Sequence, residues 1–141
     1  MPVSTASAVW NGSIGDGSGT MKMANYEGPY SVPSRFGDGE GSTPEELLAA
    51  AHAGCFSMQL SALLTRGGST PDRVETSADV SIDKLEDGWA VTKIHLTTNA
   101  SVPGIDEATF LEFAQEAKDT CPVSKLFAGG SAEITMEATL A

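Results

Sequence analysis

The stretch from Thr43 to Gly68 constrains this chain more than any other. Thr43 is a good N-cap, Pro44 suits the first helical position, and Glu46 completes a capping box. Gly67-Gly68 supplies the stop, so a helix is expected to run from Pro44 to about Arg66. His52, Ser57, Gln59 and Ser61 interrupt its most apolar part, Leu47 to Leu64, whereas a membrane span needs roughly 20 predominantly apolar residues. The expectation is a buried core helix, with no membrane as partner. Leu47, Ala51, Cys55, Met58 and Ala62 recur at spacings of three or four and form a stripe expected to face packing partners. A neighbouring stripe, Ala50, Ala53, Gly54, Ser57 and Ser61, is nearly all small, which would let a second central helix or a partner subunit approach closely.

Around that helix the patterning is mostly that of strands. Before residue 41 the glycines separate short runs such as Ala6 to Trp10 and Thr20 to Met23, which is hairpin punctuation. After it, Val74 to Leu85 and Trp89 to Ala100 show period-two character and are joined by Glu86-Asp87-Gly88, the signature of a β-hairpin. Val74, Thr76, Ala78, Val80 and Ile82 share one face. Ala90, Thr92, Ile94 and Leu96 oppose Val91, Lys93 and His95 in the second run. A second helix is expected over Asp106 to Thr120, with Phe110, Phe113, Ala114 and Ala117 on its apolar face. Cys121-Pro122 interrupts it, because the residue before a proline is pushed out of the helical region. A short helix, Pro122 to Phe127, and a last strand, Ala132 to Leu140, complete an α+β chain that reads as one domain over residues 1–141.

Charge narrows the partners. The 19 acidic against 8 basic residues give a formal net charge of −11, which repels phosphate backbones and anionic surfaces. Nucleic acid is therefore excluded as a partner. The start, MPVSTASAVWNG, lacks a basic n-region and an apolar h-region, so a cytoplasmic location is expected. In a reducing compartment two cysteines seldom form a permanent staple; they are two inert buried thiols or a working redox couple.

Cys55 lies within the first helix, where a cysteine is often a small core residue. Cys121 precedes the short helix, and helix N-termini lower thiol pKa, so local chemistry nominates Cys121 as the more acidic thiol. Cys55 would need a nearby cation for activation. A metal reading also exists: His52 and Cys55, at i and i+3, could chelate zinc with Cys121 and His95. No CxxC spacing supports it, and His52 is expected to be a packed or partly exposed helix residue. No Gly-rich phosphate loop follows a strand into a helix, and no GxSxG elbow is present.

Taken together, Ser34-Arg35-Phe36, Thr43-Pro44-Glu45-Glu46-Leu47, Ala50-Ala51-His52-Ala53-Gly54-Cys55-Phe56-Ser57, Val102-Pro103-Gly104-Ile105-Asp106 and Cys121-Pro122-Val123-Ser124-Lys125 resemble the OsmC/Ohr family, and its OsmC branch in particular. The motifs occur in the family's order and cover nearly the whole chain from about Trp10. The resemblance implies an OsmC-like fold, two central helices wrapped by antiparallel β-sheets, in an intertwined homodimer with active sites at the dimer interface. It also implies a peroxidase in which Cys55 is peroxidatic, Cys121 resolves, and Arg35 and Glu45 are the matching arginine and glutamate. Organic hydroperoxides would be the substrates and a small dithiol or lipoylated protein the reductant, with no cofactor and no metal. Phe36, Phe56, Met58, Phe110 and Phe127 are candidates to line an apolar pocket. Glu45 precedes Cys55 by ten residues, about 15 Å of straight helix, so the two cannot touch directly. Either Arg35 bridges the gap or one member comes from the other subunit.

Two rivals accompany this reading. A non-catalytic stress-associated dimer would hold Cys55 and Cys121 too far apart to bridge, beyond roughly 7 Å between Cα atoms. A general thiol-disulfide oxidoreductase would be expected to carry a CxxC pair on a thioredoxin-like βαβ pattern.

Overall fold

Glycine-punctuated runs make strands at the N-terminus because each glycine opens a turn or a close approach. In the computed structural model, which describes residues 1–141, the chain divides into two compact units, Met1–Glu46 and Leu47–Ala141. The first holds β1 (Ser7–Asn11), β2 (Ser18–Met23) and β3 (Tyr26–Tyr30), an antiparallel meander in that order. Gly19 stands opposite both Trp10 and Tyr30; a Cβ there would run into the Tyr30 ring. The vacancy lets the two rings approach to 5.6 Å between centroids, in a tilted pair.

A five-residue helix that periodicity does not reveal, α1 (Val32–Phe36), follows. It is too short for an apolar repeat and rests on its cap: the Ser31 hydroxyl accepts the Ser34 N–H while the Ser34 hydroxyl accepts the Ser31 N–H. Such a box satisfies donors that a single turn of helix would otherwise leave bare.

The long helix, α2, spans Pro44–Arg66 as expected. The Thr43 hydroxyl accepts the Glu46 N–H at 3.0 Å. At the far end Ser69 N–H bonds Leu64 C=O and Gly68 N–H bonds Thr65 C=O, a Schellman closure with Gly68 at φ +89°. Its buried side differs from the stripe anticipated. His52, Phe56, Leu60 and Leu64 are fully buried, whereas Ala51 is exposed and Met58 is 77% exposed. The helix is turned by one residue, about 100°, from the anticipated setting. Burying Phe56 and two leucines removes more apolar surface than burying alanines and one methionine. By length and composition α2 could cross a membrane, and 28% of its most apolar window is buried within the chain. It is thus a core helix on one face only.

In the second unit β4 (Arg73–Leu85) and β5 (Gly88–Ser101) form the antiparallel hairpin. Alternation along β4 places Val74, Thr76, Ala78, Val80 and Ile82 inward and Glu75, Ser77, Asp79 and Ser81 outward. α3 (Glu107–Thr120) starts at Asp106, whose carboxylate accepts the Thr109 N–H and hydroxyl, each at 2.8 Å. α4 (Pro122–Phe127) follows with only Cys121 between, and β6 (Glu133–Leu140) closes the chain. The sheet order is β4-β5-β6, and β6 runs parallel to β5. This sheet is therefore mixed rather than wholly antiparallel: α3 and α4 form a crossover that returns the chain to the end of the sheet where β5 begins, which a hairpin cannot do. Leu96 and Ala100 of β5 pack on Phe56, Leu60, Leu63 and Leu64 of α2 and on Phe110, Ala114 and Ala117 of α3, and Cys121 belongs to the same core.

Candidate active site

Proline 122 decides where Cys121 stands. It pushes Cys121 into extended backbone, φ −57° and ψ 130°, so one residue ends α3 and begins α4. The Cys121 N–H closes α3 on Ala117 C=O, and its own C=O accepts the Lys125 N–H to open α4. Its side chain packs into the core. Cys121 is fully buried and donates its thiol hydrogen to Cys55 Sγ at 3.0 Å. Both cysteines are free thiols.

Cys55 sits at the edge of the buried stripe of α2, half-covered. Burial pushes its thiol pKa up, and the hydrogen bond from Cys121 adds to the rise; the Val123 backbone N–H pulls the other way. The second unit by itself thus holds Cys55 as a thiol.

Arg35 and Glu45 are brought together within the first unit. Arg35 Nε donates to both Glu45 oxygens at 3.1 and 3.2 Å, and Nη2 donates to Oε1 at 2.5 Å. The Glu45 side chain is 10% exposed and that of Arg35 35%. The guanidinium also lies 5.3 Å from the centroid of the Phe36 ring. α1 carries Arg35 and the first turn of α2 carries Glu45, so both caps described above serve to aim this pair. The structure joins the four expected residues as two pairs, cysteine with cysteine and arginine with glutamate.

The expected pocket lining divides. Phe56 and Phe110 are core, fully buried, while Phe36 and Met58 face solvent at 44% and 77% exposure. Their size put them on the sequence list, but size does not tell a wall from a core. Phe127 lines a cavity of about 450 Å³ bounded also by Leu48, Trp89, Val91, Ile94 and Leu126, and Met58 lines a smaller one of about 250 Å³ with Ser57, Ser61, Pro71 and Val74.

Sequence reasoning expected His52 to be a packed or partly exposed helix residue and assigned Ser124 no role. His52 is completely buried, with Nε2 2.7 Å from Ser124 Oγ and its ring 5.8 Å from that of Phe127. Burial lowers its pKa, so the ring is neutral near pH 7. One signal could have found the pair: His52 precedes Cys55 by three residues and Ser124 follows Cys121 by three. His95, a possible fourth zinc ligand in the sequence, points from the opposite face of β5, with Nδ1 2.6 Å from Thr135 Oγ1. No three His, Cys, Asp or Glu side chains gather to hold a metal.

An α+β fold with a core helix presenting one thiol to a second thiol at a helix junction defines a class, the proteins with a paired-cysteine centre built between helices. Residues 37–137 match the family described as OsmC-like protein, and the chain belongs to that family. It is 46% identical over 133 residues to Peroxiredoxin OsmC of Escherichia coli (strain K12), covering 92% of this chain and 91% of that protein. It is 28% identical over 102 residues to the Organic hydroperoxide resistance protein of Xanthomonas axonopodis pv. citri (strain 306), 70% of each chain. The crystal structure of an OsmC-like protein from Mycoplasma pneumoniae superposes with a TM-score of 0.79 at 19% identity, over 99% of this chain and 98% of that one. The OsmC/Ohr fold expected from the sequence motifs is thereby confirmed.

Proposed function

We propose that this protein is a thiol-dependent peroxidase that reduces organic hydroperoxides to alcohols. The observation that carries the reading is the 3.0 Å approach of Cys121 Sγ to Cys55 Sγ, in a chain 46% identical to a protein named a peroxiredoxin. A non-catalytic dimer has no need to hold two thiols in contact, and a thiol-disulfide oxidoreductase would be expected to use a CxxC loop rather than cysteines 66 residues apart.

Cys55 is the peroxidatic residue in this scheme. Its thiolate attacks the distal peroxide oxygen; the O–O bond breaks, the alkoxide leaves and takes a proton to become the alcohol, and Cys55 becomes a sulfenic acid. The Cys121 sulfur then attacks the sulfenic sulfur, expelling the hydroxyl as water with the Cys121 proton, and a disulfide remains. An external dithiol, a small molecule or a lipoylated protein, exchanges with that disulfide and restores both thiols. Arg35 supplies a cation in this scheme, favouring the thiolate and steering the peroxide oxygens, while Glu45 fixes its guanidinium. No cofactor enters these steps. The exposed apolar and small side of α2, with Ala50, Ala51, Gly54 and Met58 outward, supports a homodimer in which a second copy covers that side. A cytoplasmic setting suits two free thiols.

Consumption of cumene hydroperoxide with dithiothreitol tests the scheme. The wild type is expected to turn over, Cys55→Ser to be inactive, and Cys121→Ser to be slowed and driven to Cys55 sulfinic acid. Turnover retained in Cys55→Ser, or no turnover in the wild type, would end the proposal.

A further inference from the structure

Three side-chain contacts tie α2 to the α3–α4 junction. Gln59 Nε2 donates to Thr120 Oγ1 at 2.9 Å, an exposed bond. The cysteine sulfurs meet in the middle. His52 and Ser124 close the far end, where both residues are buried. An exposed hydrogen bond contributes little, because water replaces it readily, whereas a buried one cannot be lost without stranding polar groups. The His52–Ser124 bond is therefore the stronger of the two that flank the thiols.

α4 depends on it to an unusual degree. A six-residue helix has no stability of its own, and Ser124 is its one buried residue; Leu126 is 75% exposed. Val123 packs against the core and Phe127 lies edge-on to the His52 ring, both half-buried, so the one fully buried hold on the rotation of α4 is a hydroxyl on an imidazole. That rotation matters, since Cys121 opens this helix and its sulfur must approach Cys55 by about a further 1 Å to form an S–S bond of roughly 2.05 Å.

The His52 ring carries a second mark. Its Nδ1 is buried and has no partner. Placing the ring proton on Nε2, where Ser124 Oγ accepts it, leaves a bare lone pair at Nδ1 rather than a stranded N–H. A leucine here would spare the bare Nδ1 but take from the buried Ser124 hydroxyl its imidazole partner, so the histidine serves Ser124 rather than packing alone.

We propose that the His52–Ser124 hydrogen bond is a positioning brace for disulfide closure, locking α4 on α2 in the rotation that keeps the Cys121 sulfur against Cys55. The inference rests on reading the two cysteines as a redox couple. It assigns neither His52 nor Ser124 any contact with the peroxide. Loss of the brace lowers the effective concentration of one sulfur at the other, which is the quantity that proximity controls.

The test is a redox titration of the full-length protein in glutathione buffers, which needs no peroxide. Each closure converts two thiols and one glutathione disulfide into the Cys55–Cys121 disulfide and two glutathiones. Ser124→Ala and His52→Leu are each expected to lower this equilibrium constant about tenfold, and His52→Gln, whose amide can still donate to Ser124, to stay within about threefold of wild type. Circular dichroism checks the fold of each variant. If Ser124→Ala and His52→Leu both titrate as wild type, or if His52→Gln falls as far as His52→Leu, the brace is wrong. Should His52→Leu not fold, Ser124→Ala decides alone. A wild type that closes its disulfide with glutathione but leaves cumene hydroperoxide untouched would end the peroxidase reading and leave the brace standing.

Discussion

The cysteine pair and the arginine–glutamate pair are built on opposite physical plans. Cys55 and Cys121 lie in and at the edge of the apolar core of the second unit, where burial and their mutual hydrogen bond keep Cys55 protonated. Arg35, part-exposed, and Glu45, buried, belong to the first unit and are held by charge-assisted bonds. In the proposed scheme one region stores a nucleophile in its unreactive form and the other holds the charge that makes it reactive. A thiol that is quiet in its own surroundings and responds to a separately mounted cation is less exposed to stray oxidants than one with a permanently low pKa.

The sharpest way to break this contrast is to remove the nucleophile. Replacing Cys55 by serine is expected to cut peroxide consumption by roughly 10⁴-fold or more, as deletion of a reacting nucleophile does elsewhere. Initial rates with cumene hydroperoxide check it. Next is the cation: Arg35→Met should slow the peroxide step about 10²-fold, the loss typical of one electrostatic donor. The same substitution should leave the pH profile of Cys55 alkylation by iodoacetamide in place, because without peroxide the thiol is set by burial and by Cys121. A profile that moved upward would mean that the cation already acts on Cys55 at rest. Glu45→Gln keeps the shape of the side chain but loosens the guanidinium. About a tenfold loss is expected, short of the roughly 10²-fold that a full ångström of misplacement costs.

How far these regions could be read in advance differs in the same way. The course of α2 was legible because Thr43, Glu46 and Gly68 act locally through backbone hydrogen bonds. The hairpin was legible because β4 alternates without interruption up to Ile82. α1 was not, since five residues carry no period and its Ser31–Ser34 box uses a serine where the usual signature has glutamate or glutamine. The buried side of α2 was misplaced by one residue: alanines fill both candidate stripes, and the choice falls to Phe56, Leu60 and Leu64, whose partners Leu96 and Phe110 lie far along the chain. The Arg35–Glu45 and Cys55–Cys121 pairs were named from motif resemblance, whereas the His52–Ser124 contact spans 72 residues and no local rule reports it.

The smallest expected effect concerns stability, and it separates the buried titratable groups of the second unit from the charged pair of the first. His52 has its pKa lowered by burial, so the unfolded chain binds a proton that the folded ring resists. Its contribution to stability is present above the unfolded value, about 6.5, and is lost as the pH falls below it. Cys55 behaves in the reverse sense. Its pKa is raised, so its contribution is present below the ordinary thiol value and is lost as the pH rises through the raised one. Urea midpoints of the reduced protein should therefore decline on both sides of neutrality, with His52→Gln flattening the acid limb and Cys55→Ser the alkaline limb. Arg35→Met should leave both limbs in place, because neither buried group depends on it for its protonation in the reduced fold. An alkaline limb that steepened in Arg35→Met would mean that the cation already acts on Cys55 at rest, and the division between a quiet thiol and a separate activator would no longer hold.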